Sequence, residues 1–433
     1  MLWSTFLLCD LSPSSQSSRP KHDKIVVCYV AAWATFRPGR GQFQFEDLRP
    51  EHCTHLIYAF AGLNATTSRI KSLDPYLDLE EDYGKGTYRK MTGLRRQYPG
   101  LKVSLAIGGW NEGSANYSAL AASPPLRRVF VDSVLEFMKN YDFDGLDLDW
   151  EFPGSRGGAP HDRENFSLLV KELGSALKRR GLLLTAAISA AKATIDVGYD
   201  IPEISKHLDF IHVMAYDYHG AWDRRVLPNA PLKCQDGLCV EESINYLLRL
   251  GAPSDKLVLG LPMYGRTFVL ASMPSNDSVD SPIGATALDT GFMGNFTREN
   301  GFLGYNEVSI ILHEDFFLND YVLQSIENYN FLQFVNNFLH YYYASSYIAK
   351  MRLAGAMIWS IDTDDFRGDC AALHTDFLDP LTPNDYPLMR VINLALAKAS
   401  GDIDDNKIGS QPSSSANMRL GGLAILLTLI LYV

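Results

Sequence analysis

A chain of 433 residues with a formal net charge of −11 is too acidic to suit nucleic acid or an anionic polymer as its partner. Its hydrophobic content of 46% is enough for a large core, and the length suits one α/β barrel carrying an insertion. The cysteines Cys9, Cys28, Cys53, Cys234, Cys239 and Cys370 follow no zinc-binding spacing.

Residues 1–23 open with a short apolar run, Leu2 to Cys9, that lacks a basic flank and reads as a weak or truncated signal segment. From 24 to 397 apolar strand-like runs alternate with helix-like segments, the pattern of βα units and a parallel sheet. Candidate strands are 25–32, 55–61, 103–108, 143–150, 183–189, 210–216, 257–262 and 355–361. The helix expected over 125–141 places Val129, Phe130, Val134, Leu135 and Met138 at helical spacing. Another is expected over 163–180, stopped by Gly181. Strands and crossover helices in this number close into a (β/α)8 TIM barrel more readily than into an open sheet. The stretch between the seventh and eighth strands is far longer than one βα unit needs, so a small α+β insertion domain is expected over about 266–346. A polar, Ser-rich stalk is expected over 398–419. The last segment, 420–433, is apolar and short for a membrane span. Small residues, a polar spacer and an apolar terminus form the pattern of a GPI-attachment signal, with a tail anchor or a buried last helix as alternatives. N-x-Ser/Thr sequons start at Asn64, Asn116, Asn165, Asn276 and Asn295 and, with the cysteines, favour the secretory pathway.

One strand stands out. In Phe143-Asp144-Gly145-Leu146-Asp147-Leu148-Asp149-Trp150-Glu151-Phe152-Pro153 the side chains alternate, so Asp147, Asp149 and Glu151 share one face. Leu146, Leu148 and Trp150 share the other, which argues against a solvated edge. A row of carboxylates on a buried face is either satisfied group by group or used for chemistry. Without a neighbouring His or Asn set, a divalent-cation site fits less well than proton chemistry. In a barrel this face points inward and Glu151 reaches the C-terminal rim, where such barrels keep their active sites. Asp144 has the opposite parity and reads as structural.

The acidic strand fits the pattern D-G-x-D-x-D-W-E at every position. Ser104-Leu105-Ala106-Ile107-Gly108-Gly109-Trp110, Met214-Ala215-Tyr216-Asp217, Tyr264-Gly265-Arg266 and Met357-Ile358-Trp359-Ser360 supply further motifs at the expected strand ends. Together they resemble the family 18 glycoside hydrolases, specifically the animal, arthropod-like chitinases, over about Lys24 to Asn393. The resemblance implies cleavage of β-1,4-linked N-acetylglucosamine in chitin or its oligomers, with retention and substrate assistance, an exception to the two-carboxylate scheme. It implies Glu151 as general acid/base and Asp149 as the group that raises its pKa and then holds the substrate acetamido N–H. Asp147 would share a proton with Asp149, and Tyr216 and Asp217 would position the acetamido group. By the same match Tyr29, Phe60, Gly109, Trp110, Met214, Tyr264, Arg266 and Glu307 would line the sugar sites, with Trp359 as a hydrophobic floor. Barrel packing is the alternative for Phe60 and Met214, and a salt bridge for Arg266. No metal and no cofactor is implied.

The resemblance also implies a Cys28–Cys53 disulfide at the starts of the first two strands. Cys234 and Cys239 flank a turn-like stretch that closes a small loop if they pair; two free thiols are the other reading. The family has a cysteine where Ser309 stands here, which leaves Cys370 without its usual partner. From 310 to 343 the family pattern is absent and aromatic residues such as Phe316, Phe317, Tyr321 and Tyr329 crowd in, as either a divergent insert or a mistranslated segment. The presence of Glu151 favours an active chitinase, expected as an endo-type hydrolase, over a non-catalytic chitin-binding lectin or signalling protein on the same barrel. The large insert favours chitin over the chitobiose core of N-glycans. The expected location is extracellular, at the cell surface through the C-terminal anchor.

Overall fold

A computed structural model describes residues 22–271, 283–308, 330–333, 338–369 and 385–401. The expected signal segment, the GPI-like tail, Cys9, Cys370, Asn276 and most of 310–343 lie outside the described residues.

The strands in chain order are β1 (Ile25–Ala31), β2 (His55–Asn64), β3 (Arg69–Ser72), β4 (Lys102–Gly108), β5 (Gly145–Asp149), β6 (Leu183–Ser189), β7 (Phe210–Met214), β8 (Leu257–Pro262), β9 (Tyr264–Leu270), β10 (Ala287–Thr290), β11 (Phe302–Gly304), β12 (Asn330–Gln333) and β13 (Gly355–Trp359). β1 pairs in parallel with both β2 and β13, so β1, β2, β4, β5, β6, β7, β8 and β13 form a closed parallel barrel. Each candidate strand of the sequence reading corresponds to one of these. β2 runs on into an antiparallel hairpin with β3, which the sequence reading did not contain.

The barrel strands are apolar almost throughout because both of their faces are covered. Alternate residues divide between two layers. Val26, Cys28 and Val30 face the outer layer under the helices, whereas Val27 and Tyr29 join Ile57, Ala59, Ala106, Val258 and Met357 inside the barrel. The helix Pro124–Tyr141 begins with proline in its first turn, where a missing N–H costs nothing. It buries Phe130, Val131, Val134 and Met138, while Val129, expected in the core, is 39% exposed. The helix Asp162–Lys178 ends just before Gly181, whose φ of +69° suits glycine. The last helix, Pro387–Ala399, runs past 398, where the stalk was expected to begin. Among the described residues no helix is long and apolar enough to cross a membrane.

Between β8 and β13, β9 pairs antiparallel with β10, β11 and β12. This second sheet starts two residues after β8 ends, so Tyr264 and Arg266 leave directly from the barrel rim.

Cys28 and Cys53 are joined, with an S–S distance of 2.00 Å, on the outer face of β1 and the approach to β2. Cys234 and Cys239 are joined as well. The first bridge spans a sequence separation of 25, for which chain-entropy arguments give about 3 kcal/mol. Replacing Cys28 and Cys53 together by Ala is expected to lower unfolding free energy in denaturant by about that amount.

Candidate active site

The Leu-Asp-Leu-Asp alternation of β5 sends Leu146 and Leu148 into the outer core and Asp147 and Asp149 into the barrel. Asp147 is fully buried and each of its oxygens is met by a donor. The Tyr29 hydroxyl donates to Oδ2 at 2.6 Å and the Thr185 hydroxyl to Oδ1 at 2.5 Å. His212 Nδ1 lies 3.0 Å from Oδ1, at ion-pair distance, and shares a hydrogen bond with the Tyr29 hydroxyl at 3.3 Å. Burial, with the charge of Asp147 next, pushes the Tyr29 hydroxyl well above its usual range and keeps it a donor.

Asp149 stands one layer higher, 4% exposed, and its Oδ1 has no hydrogen-bond partner. Burial raises its pKa well above the usual carboxylate range, with Glu151 and then Asp147 adding to the effect. No hydrogen bond joins Asp149 to Asp147; two hydroxyl donors serve Asp147, and Asp149, whose pKa is raised in part by the charge of Asp147, is the one that keeps a proton more readily. Glu151 lies two residues beyond the end of β5. Its carboxyl is pushed up to about 7, chiefly by burial; Arg156 opposes the rise and Asp217 supports it. Asp149 and Glu151 bear on each other, and Asp217 adds its charge from the end of another strand.

Backbone contact builds this corner. Gly108, at φ +116°, brings the end of β4 so close that a Cβ would sit 2.1 Å from the carbonyl oxygen of Asp149. The Gly109 N–H donates to that same oxygen at 2.8 Å. A Cβ on Gly109 would strike the ring of Phe60 at 2.8 Å.

Above the row opens a groove of about 1120 Å³, more than one sugar ring requires. Tyr29, Phe60, Gly109, Trp110, Asp149, Glu151, Met214, Tyr216, Asp217, Tyr264, Arg266 and Trp359 all line it. Asp147 lies beneath. Trp359 meets the ring of Tyr29 at 5.4 Å and forms part of the floor. Tyr216 directs its hydroxyl to Met357 Sδ at 3.8 Å, and burial beside Asp149 and Glu151 raises its pKa. Tyr264 is buried against Phe302, ring centroids 4.4 Å apart. Trp110 is 58% exposed and carries the Arg156 guanidinium 3.4 Å from its ring centroid. Arg266 lines the groove and donates twice to Asp217 Oδ1, just beyond β7, at 2.9 and 2.5 Å.

Glu307 is corrected. It is buried away from the groove, and its carboxylate accepts from the backbone N–H groups of Phe296, Thr297 and Gly304 and from the Thr297 hydroxyl, at 2.6–3.0 Å. It organises the turn that carries Glu299, which does line the groove. Burial raises the Glu299 pKa. Sequence reasoning also missed Trp33, Phe36 and Trp222, exposed by 45%, 61% and 59% on the groove. The available signal was their position just after the ends of β1 and β7. Thr185 and His212, the partners of Asp147, had a signal in their parity on β6 and β7. Among the described residues no group of three or more His, Cys, Asp or Glu side chains is placed to hold a metal.

Residues 25–364 match the sequence profile of the glycosyl hydrolases family 18. The chain belongs to that family. It is 48% identical to Probable chitinase 2 of Drosophila melanogaster over 96% of this chain and 90% of that protein. The Group IV chitinase of Ostrinia furnacalis, solved alone and with allosamidin, superposes with a TM-score of 0.77 at 38% identity, covering 87% of this chain and 100% of that one. Human YKL-39, described as a pseudo-chitinase with retained chitooligosaccharide binding, superposes at 0.72 with 30% identity, covering 86% and 99%. The family thus includes both hydrolysis and binding alone on one barrel.

Because Glu307 holds its turn together from within, Glu307→Ala is expected to lower stability by about 3 kcal/mol in a denaturant titration. A loss below about 0.5 kcal/mol would mean that the turn stands without it.

Proposed function

We propose that this family 18 hydrolase is a chitinase that cleaves internal β-1,4-N-acetylglucosamine linkages in chitin and chitooligosaccharides, with retention and with the substrate's own acetamido oxygen as nucleophile. The observation that carries the reading is Glu151: a carboxyl in a groove lined by aromatic rings, pushed up to about 7 and so protonated in mild acid. In this scheme Glu151 protonates the leaving glycosidic oxygen and later takes a proton from the incoming water. The unpartnered Oδ1 of Asp149 accepts the acetamido N–H and turns the acetamido oxygen toward the anomeric carbon. Asp147 supports Asp149 from below, and Tyr216 with Asp217 closes the side of the pocket. Trp359 gives the sugar an apolar floor, and the exposed rings of Trp33, Trp110 and Trp222 stack on further units.

The sheet formed by β9 to β12 serves as the wall expected of an α+β insertion, with Arg266 and Glu299 on its groove side. Two disulfides and the exposed sequon asparagines Asn116 and Asn295 support a secretory route. The C-terminal sequence pattern is the sole support for a GPI anchor. Binding without cleavage, as described for human YKL-39, is the alternative.

The test is turnover of a fluorogenic chitotriose substrate by the secreted protein beside Glu151→Gln. The expected loss is about 10²- to 10⁴-fold in kcat, with oligosaccharide affinity kept. Binding by both proteins with turnover by neither would select the binding-only reading. The acid must be protonated to act, so raising the pH through about 7 removes the active form of Glu151. kcat/KM is expected to fall above that pH; an alkaline limb at the ordinary glutamate value of about 4.3 would contradict the assignment.

A further inference from the structure

Just beyond β7, Asp217 stands at φ +55°, a left-handed conformation that few residues other than glycine adopt. Its carboxylate lines the groove, close enough to Glu151 for its charge to bear on that acid. Arg266 on β9 holds the carboxylate. That ion pair does not fix the backbone beneath it. Asn229 does. It is 1% exposed and lies where the chain returns from the loop that carries Trp222.

The Asn229 side chain meets the backbone at both ends of the ion pair. Its Oδ1 accepts the Asp217 N–H at 3.0 Å, and its Nδ2 donates to the Tyr264 carbonyl at 3.4 Å. Its own carbonyl accepts the Tyr218 N–H at 3.1 Å, so one residue binds two consecutive backbone amides beyond β7. Tyr264 opens β9, two residues before Arg266 and on the same face of the strand. One buried amide thus joins the backbone that carries Asp217 to the backbone that carries Arg266. The place asks for an acceptor and a donor on one short side chain. A carboxylate has no N–H for the Tyr264 carbonyl, and an alanine offers neither group.

We propose that Asn229 is a positioning residue for the hydrolytic reaction: it holds Asp217 in its left-handed conformation and in register with β9, so that the Asp217 carboxylate stays clamped by Arg266 beside Glu151. The inference rests on the reading of the groove as a chitinase active site and of Asp217 as a group that positions the substrate acetamido. Asn229 is not among the residues that line the groove, so it acts through Asp217. Without its amide the Asp217 N–H and the Tyr264 carbonyl lose their partner. The backbone then relaxes toward an ordinary conformation, and the carboxylate turns away from the reacting sugar.

The test is a double-mutant cycle of Asn229→Ala and Asp217→Ala in the turnover of a fluorogenic chitotriose, with the folding of each protein checked by thermal unfolding. Alone, Asn229→Ala is expected to lower kcat about 10- to 100-fold with KM kept within about two-fold, as misplacement rather than lost binding does. Added to Asp217→Ala, it is expected to lower kcat by less than about two-fold further, because the group it positions is already gone. Asn229→Ser, which keeps a small polar side chain there, replaces the alanine variant if that protein does not fold. Equal losses from the Asn229 substitution in both backgrounds, or a rise in KM with kcat kept, would overturn this inference and leave the chitinase reading standing. Failure of both Asn229 variants to fold would do the same, since Asn229 would then serve the fold alone. Oligosaccharide binding without turnover by the unsubstituted chain would overturn both.

Discussion

Asp147 is the constraint on which the rest of the barrel interior depends. A carboxylate with no exposure to water is tolerable only if its oxygens are met by donors. Here the donors are the hydroxyls of Tyr29 on β1 and Thr185 on β6, with His212 on β7 bonded to Tyr29 and at ion-pair distance from Asp147. These strands are far apart in sequence and surround β5 because the sheet closes on itself. In an open sheet β1 and β7 would not both reach the inner face of β5. Losing one donor to such a group costs about 1–3 kcal/mol, so the satisfied Asp147 and the closed barrel favour each other.

That arrangement also sets the character of the two acidic groups above it. With the donors taken up below, Asp149 is left buried between two carboxyls, with an oxygen free and a strongly raised pKa. Glu151, nearer the rim, is raised to about 7, where burial and Asp217 push it up and Arg156 opposes them. A gradient of burial along one strand thus gives three similar side chains three different environments. Under the proposed function these become a support, an orienting group and an acid. The aromatic surface that would hold the polymer is built separately, from loops at the ends of β1, β4, β7 and β13. It can therefore vary without disturbing the row beneath.

The barrel and the acidic row were legible because both obey local rules. Apolar runs alternating with helical periods announce βα units, and the period of two on β5 puts its aspartates inside. The short motifs at strand ends located most of the groove. The rest depended on distances that sequence does not encode. Glu307 and Glu299 are both acidic residues near the same turn, and only the fold shows that one points in and the other lines the groove. Trp33, Phe36 and Trp222 read as ordinary aromatics until the loops carrying them are placed. Val129 matched the helical stripe but stands at its margin. Asp149 was expected to bear on Glu151 from two residues away; that Asp217 does so as well, from the end of another strand, only the fold shows.

The most direct test of this account is the titration of the Glu151 carboxyl itself, by difference infrared spectroscopy against Glu151→Gln, in the wild-type chain and in Asp149→Asn. If Asp149 is held protonated, a neutral amide replaces a neutral acid, and Glu151 is predicted to titrate near 7 in both proteins. A wild-type midpoint at the ordinary glutamate value of about 4.3, or a large fall in the midpoint on going to Asp149→Asn, would contradict the division of roles along the strand.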